Sequence, residues 1–128
     1  MLCALVERAG IEPSRVDDVI WGCVSQVGEQ TYNVGRSAVL AAGWPEQIPA
    51  TTVDRQCGSS QQAAEFAAAG VIAGHYDVAI AGGVESVTRV PLGSSTEISG
   101  TPFGATVLNR YQVGMFNQGL GAEQVADK

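Results

Sequence analysis

The chain has 128 residues, a hydrophobic fraction of 45% and a formal net charge of −6, which fits one core of ordinary globular composition. No basic run occurs, so binding to a phosphate backbone has little electrostatic support and nucleic acid is not an expected partner. Three cysteines without a CxxC argue against a disulfide framework or a structural zinc site and suit a reducing cytoplasm.

Residues 2–9 set Leu2, Leu5, Val6 and Ala9 at helical spacing, and Gly10 reads as the helix stop. The N-terminus lacks a positive region and a cleavage pattern, so it reads as an amphipathic helix and not a signal peptide. Ser14–Asp17 predicts a short turn, and Asp18–Ser25 a buried apolar strand. Gly28–Tyr32 reads as a loop. Asn33 is placed to cap a helix running to Ala42 that Gly43 ends.

Two prolines, Pro45 and Pro49, stiffen the next connection. Ala50–Gln56 predicts a second strand, 58–73 a helix with Gly74 as its stop, and Asp77–Gly83 a third short strand entering a glycine turn. From Arg89 the chain becomes loop-rich, with Pro91, Gly93, Ser94, Ser95, Thr96, Ser99, Gly100, Thr101, Pro102 and Gly104. Asn117–Ala126 turns helical again. No apolar run approaches the roughly 20 residues of a membrane span.

Strands alternating with helices, apolar on both faces, predict an α/β fold with a mostly parallel sheet flanked by helices. Ligands bind at the carboxyl ends of strands in such folds. Cys57 falls there, in TTVDRQCGSSQQAAEF, residues 51–66. One reading is a small inert residue in a tight turn. The other is a nucleophile, because the partial positive charge and unpaired N–H groups of a helix start stabilise a thiolate. Gly58 would leave room for a substrate carbonyl, and the Cys57 N–H could donate to an oxyanion. The alanines at 63, 64, 67, 68 and 69 would let the helix pack closely inside a core.

Cys3 and Cys23 read as structural. His75, in a Gly-His-Tyr-Asp stretch, reads as a surface or cap residue at the wrong end of the helix to serve Cys57. Gly82-Gly83 lacks the spacing of a phosphate loop and reads as a tight turn. Trp21 and Trp44 read as core or interface aromatics.

Val53-Asp-Arg-Gln-Cys57-Gly-Ser-Ser60, followed by Ala81-Gly-Gly-Val-Glu-Ser-Val87, resembles the thiolase family of acetyl-CoA C-acyltransferases. GCVSQVGEQTYNVGRSAVLAAGW, residues 22–44, is similar to that family's strand and helix before the nucleophile. Phe116–Ala126 is similar to the first helix of its substrate-binding loop domain. Asp54 stands where Asn is common and Gln61 where Leu is common.

The resemblance implies a thiolase-like layered fold, with Cys57 as the acyl-thioester nucleophile and coenzyme A as a substrate, not a bound cofactor. It implies residues 1–88 as a partial N-terminal domain without its opening strand and helix, and 89–128 as the start of the loop domain. On this reading the sheet has an open edge and Met1 is an internal methionine of a longer protein. A dimer or tetramer is implied for the complete enzyme, which thiolyses 3-ketoacyl-CoA or condenses two acyl-CoA molecules. The family's base histidine, in a Gly-His-Pro context, and its second cysteine belong to a second half with no counterpart here, so the chain is expected to be inactive alone. Glu85 and Ser86 belong to the family signature or simply fix their turn. The alternative is a non-catalytic module, or one half of a split enzyme completed by a partner chain.

Overall fold

The computed structural model describes residues 1–97, 100–111 and 117–128; Ser99 and Phe116, used above, lie outside them. The chain divides into two compact units, Met1–Ser95 and Thr96–Lys128.

The first unit is built on three parallel strands, β1 (Asp18–Gly22), β2 (Ala50–Val53) and β3 (Ala79–Gly83), in the order β2-β1-β3. β1 is central, with Val19 opposite both Ala50 and Ile80, and Gly22 opposite both Val53 and Gly83. Side chains alternate along a strand, and β1 shows what that does here. Val19 and Trp21 enter a core with Leu2 and Val6 of α1 (Leu2–Ala9), Val39 of α2 (Val34–Ala41), and Trp44 and Ile48 of the connection that follows. Ile20 faces the other way, onto Ala63 and Ala67 of α3 (Ser59–Ile72). Helices therefore cover both faces of a parallel sheet, as the pattern predicts.

The element ends differ from expectation, and at β1 and β3 a tertiary hydrogen bond stops the run. β1 ends at Gly22, short of Ser25, because the Val24 and Ser25 N–H groups donate to the Glu85 carboxylate. β3 starts at Ala79, not Asp77, because the Asp77 and Val78 N–H groups donate to Asp17 Oδ2. Those two bonds also hold the Asp17 carboxyl below its usual range. β2 stops at Val53, where its pairing with β1 ends, and a turn over 54–58 precedes α3. Gly82 and Gly83 are the last residues of β3, paired with Trp21 and Gly22, and not a turn.

The helix stripes are half used. In α1 Leu2 and Val6 are buried while Leu5 and Ala9 are exposed. Gly10 ends it in the left-handed region at φ 64°. In α3 Ala63 and Ala67 are buried, but Ala64, Ala68 and Ala69 are exposed, so this helix packs on one face. Its outer face carries exposed Phe66, Val71 and Ile72.

In the second unit, α4 (Ala105–Arg110) is a short helix that the loop-like composition of this stretch concealed. α5 (Gln118–Ala126) is capped by Asn117, whose side chain accepts from the Leu120 N–H at 3.0 Å. Among the described residues no helix is long and apolar enough to cross a membrane.

Asn33 does more than cap α2. Its Oδ1 accepts from the Arg36 N–H at 3.0 Å and from Thr52 Oγ1 at 2.8 Å, and its Nδ2 donates to the Ala50 carbonyl at 2.7 Å. One side chain thus fixes the start of α2 to β2. Asn33→Ala should lower stability by about 1–2 kcal/mol, the range of a lost cap, read from urea unfolding; an unchanged midpoint would mean that water replaces all three bonds without loss.

Candidate active site

The carboxyl ends of the three strands converge on one pocket of about 390 Å³. Its lining comes from three segments: Cys23 and Val24 after β1, Gln56, Cys57, Ser59 and Ser60 around the start of α3, and Gly83 to Glu85 at the end of β3; Leu92 completes it.

Cys57 is exposed and stands two residues before the first helical residue, Ser59. The turn that holds it is tightly specified. Asp54 Oδ1 accepts from the Gln56 N–H at 2.7 Å, closing an Asx-type turn. Gln56 sits at φ +48°, a conformation few side-chain-bearing residues adopt. Ser59, buried at 5% exposure, accepts from the Arg55 N–H at 2.9 Å and donates its own hydroxyl to the Gln56 carbonyl at 2.6 Å. The Gly58 N–H donates to the Arg55 carbonyl at 3.0 Å. The N–H groups on both sides of Cys57 have acceptors, and Cys57 itself pairs with Arg55 in an isolated β-bridge.

The first turn of α3 lies directly on the sheet. A Cβ added at Gly22 would meet Ser60 N at 2.5 Å and the Ser59 carbonyl carbon at 2.6 Å, and one at Gly83 would strike Ser60 Oγ. These two strand-end glycines let the helix, and with it Cys57, reach the strand ends.

The opposite side is held by Glu85. Its carboxylate accepts from the Val24 N–H at 2.8 Å, the Ser25 N–H at 3.2 Å and Gln30 Nε2 at 3.1 Å. Gln30, buried at 4% exposure, also donates to the Ser25 carbonyl at 2.9 Å, and its Oε1 accepts from the Ser86 N–H at 2.7 Å. Desolvation pulls the Glu85 carboxyl upward, but the Val24, Gln30 and Ser25 donors outweigh it and hold it below the ordinary range. Cys23, buried at 1% exposure, has its thiol pushed up by burial first, and further by the Glu85 and Asp54 charges.

Sequence reasoning singled out Cys57 and set Cys3, Cys23 and His75 aside. Cys3 is exposed on α1, and its thiol lies 3.9 Å from the Ala42 carbonyl. His75 is exposed beyond the far end of α3, a helix of 14 residues, some ~21 Å long at 1.5 Å per residue. Its ring stands edge-on to Tyr76. Cys23, read as a strand residue, belongs to the pocket wall. The roles of Ser59 and Gln30 went unread; a buried glutamine inside an apparent loop leaves no periodic signal.

The whole chain, residues 1–128, matches the model of the thiolase N-terminal domain. It is 44% identical to a steroid 3-ketoacyl-CoA thiolase of Mycobacterium tuberculosis, over 97% of this chain and 32% of the relative. It is 40% identical to a beta-ketoadipyl-CoA thiolase of Acinetobacter baylyi, over 99% of this chain and 35% of the relative. A solved acetyl-CoA acetyltransferase from Bacillus anthracis superposes with a TM-score of 0.65 at 41% identity, covering 69% of this chain and 22% of the other. The chain belongs to the thiolase family and corresponds to its N-terminal domain. It spans about a third of the length of these two curated relatives.

Two consequences are measurable. Gly22→Ala should push the first turn of α3 off the sheet, cost about 1–3 kcal/mol of stability as overpacking does, and change the alkylation rate of Cys57 while leaving that of Cys3 alone. An unchanged Cys57 rate would show that the turn holds without the close contact. The second concerns Glu85. Its folded-state pKa is depressed, so its contribution to stability is complete above the unfolded value and is lost as pH falls through the folded one. Unfolding midpoints followed downward from neutral pH should drop less in Glu85→Gln than in the native chain, and equal slopes would remove Glu85 from the acid response.

Proposed function

We propose that this chain supplies the nucleophile of a thiolase-type acyltransferase, with Cys57 taking an acyl group from acyl-coenzyme A. In the step, Cys57 Sγ attacks the thioester carbonyl carbon, and charge gathers on the carbonyl oxygen. The carbon–sulfur bond to coenzyme A breaks and the leaving thiolate takes up the proton that Cys57 gave up. The products are an acyl-Cys57 thioester and free coenzyme A. The observation that carries this reading is the exposed cysteine just before the start of α3, at one pocket shared by all three strand ends. The Cys57 N–H, next to a helix start, suits an oxyanion.

Within a longer enzyme the second step would be thiolysis of a 3-ketoacyl-CoA or, in reverse, Claisen condensation, with fatty-acid β-oxidation as the setting. The names of the relatives support ketoacyl-CoA substrates. Coenzyme A enters as substrate and no resident cofactor is required. His75 is too far from Cys57 to act as its base, so deprotonation falls to a group outside this chain. We take residues 1–88 as part of the catalytic domain and 89–128 as the start of the substrate-binding loop domain. The apolar outer face of α3, Phe66, Val71 and Ile72, supports burial under further protein, in keeping with a dimer or tetramer. Three free thiols support a reducing, cytoplasmic setting.

Excess acetyl-CoA followed by intact mass and peptide mapping tests the nucleophile. One acetyl group on Cys57, with Cys3 and Cys23 unmodified, is the expected result, and Cys57→Ser should lose the thioester label. A folded chain that takes no label at Cys57, even when supplied with an external imidazole base, overturns the reading.

A further inference from the structure

We propose that Glu85 is a positioning residue for the Cys57 pocket: it fixes the wall opposite the thiol and so sets the size of the group that can reach Cys57. The consequence for acyl transfer rests on the reading of Cys57 as nucleophile, but the geometry does not. Two chain segments make that wall, 23–25 after β1 and 83–86 after β3. The β1–β3 pairing ends at Gly22 and Gly83, with a last bond from the Val84 N–H to the Gly22 carbonyl at 2.9 Å, and the backbone N–H groups of Val24 and Ser25 need acceptors. One carboxylate provides them across 61 and 60 positions of sequence.

The donor pattern also dictates the residue type. Gln30 has no freedom to turn its amide: Nε2 is committed to the Ser25 carbonyl and Oε1 to the Ser86 N–H. Every group that faces the Glu85 side chain in this network is therefore a donor: Val24 N–H, Ser25 N–H and Gln30 Nε2. A carboxylate satisfies all three, whereas a glutamine would turn an NH2 toward at least one of them or leave it unpaired. The network lies at the pocket and not in the core: Cys23, Val24, Val84 and Glu85 all line the space that Cys57 faces. Releasing the carboxylate leaves the Gln30 bridge from the Ser25 carbonyl to the Ser86 N–H and the Val84 N–H bond to Gly22 as the remaining ties, which loosens the wall and widens the approach to the thiol without touching the turn over 54–58.

The test uses the full chain and two thiol reagents, iodoacetamide and a bulky N-alkylmaleimide, with rates taken at Cys57 by peptide mapping. The ratio of bulky to small reagent cancels the thiolate fraction, and exposed Cys3 on α1 gives a reference ratio in the same sample. Glu85→Gln and Glu85→Ala should raise the Cys57 ratio by about tenfold, below the roughly hundredfold that an ångström of misplacement can cost a reaction. The Cys3 ratio should stay constant. Ile48→Val, a core change beneath α2, controls for lost stability and should leave both ratios at native values. Should both Glu85 variants fail to fold, Gln30→Glu keeps an acceptor for the Ser86 N–H but turns the donor that faces Glu85 into a second carboxylate, and should raise the Cys57 ratio by a smaller factor. An unchanged Cys57 ratio in the folded variants, whatever their melting temperatures, overturns the assignment and leaves Glu85 as a purely structural tie. Alkylation needs no acyl transfer, so this outcome is separate from a failure of Cys57 to accept an acetyl group.

Discussion

The close approach of the first turn of α3 to the end of β1 is the constraint on which the site depends. Helix and sheet normally stand apart by the thickness of their side chains. Here Gly22 has none, and the backbone of Ser59 and Ser60 occupies the space a Cβ would fill. That contact places the start of α3 over the carboxyl edge of the sheet. Ser59, buried by it, then reaches back to both Arg55 and Gln56 and shapes the turn that carries Cys57. The chain of cause runs from a missing side chain in one strand to the placement of a thiol 35 positions later.

The other half of the pocket solves a different problem. Parallel strands leave their last N–H groups without partners unless a neighbouring strand continues the ladder. Val24 and Ser25 find theirs in a side chain, Glu85. Because the carboxylate accepts from several donors at once, it stays ionised despite its desolvation. The same charge discourages ionisation of Cys23, which lies on the same wall. Two thiols of one pocket thus stand in different surroundings: one exposed beside a helix start, the other buried next to a fixed negative charge.

The framework was legible where local rules dominate. The apolar, two-sided strands announced a covered parallel sheet, Gly10 and Asn33 marked helix ends, and the step from strand to Cys-Gly-Ser to helix lies where the pocket opens at the strand ends. What was misread was set by groups far apart in sequence. Asp17 shortens β3 and Glu85 shortens β1, each from about 60 positions away, and no window of propensity contains both partners. The alanines of α3 suggested a helix packed closely inside a core, yet only Ala63 and Ala67 meet the sheet; composition sets how closely a helix can pack, not how many neighbours it has. Gln30 was invisible for a related reason. A polar residue in a loop reads as solvated, and only the arrangement of Ser25, Glu85 and Ser86 around it makes its burial tolerable.

The turn at Cys57 is more informative than a direct strand-to-helix joint would be. Were the cysteine the first residue of α3, its N–H would join the helix start and compete for the same capping interactions as its neighbours. Instead Gln56 adopts a left-handed conformation, at a cost of about 1–2 kcal/mol. The two Ser59 hydroxyl bonds and the Asp54 bond, each worth on the order of 1 kcal/mol net, offset it. The result is a segment in which Arg55, Gln56 and Gly58 have their N–H groups satisfied while Cys57 pairs with Arg55 in an isolated β-bridge. Strain at Gln56, with stabilising bonds arranged on either side of an exposed cysteine, fits the proposed presentation of one sulfur and one N–H to the same carbonyl group.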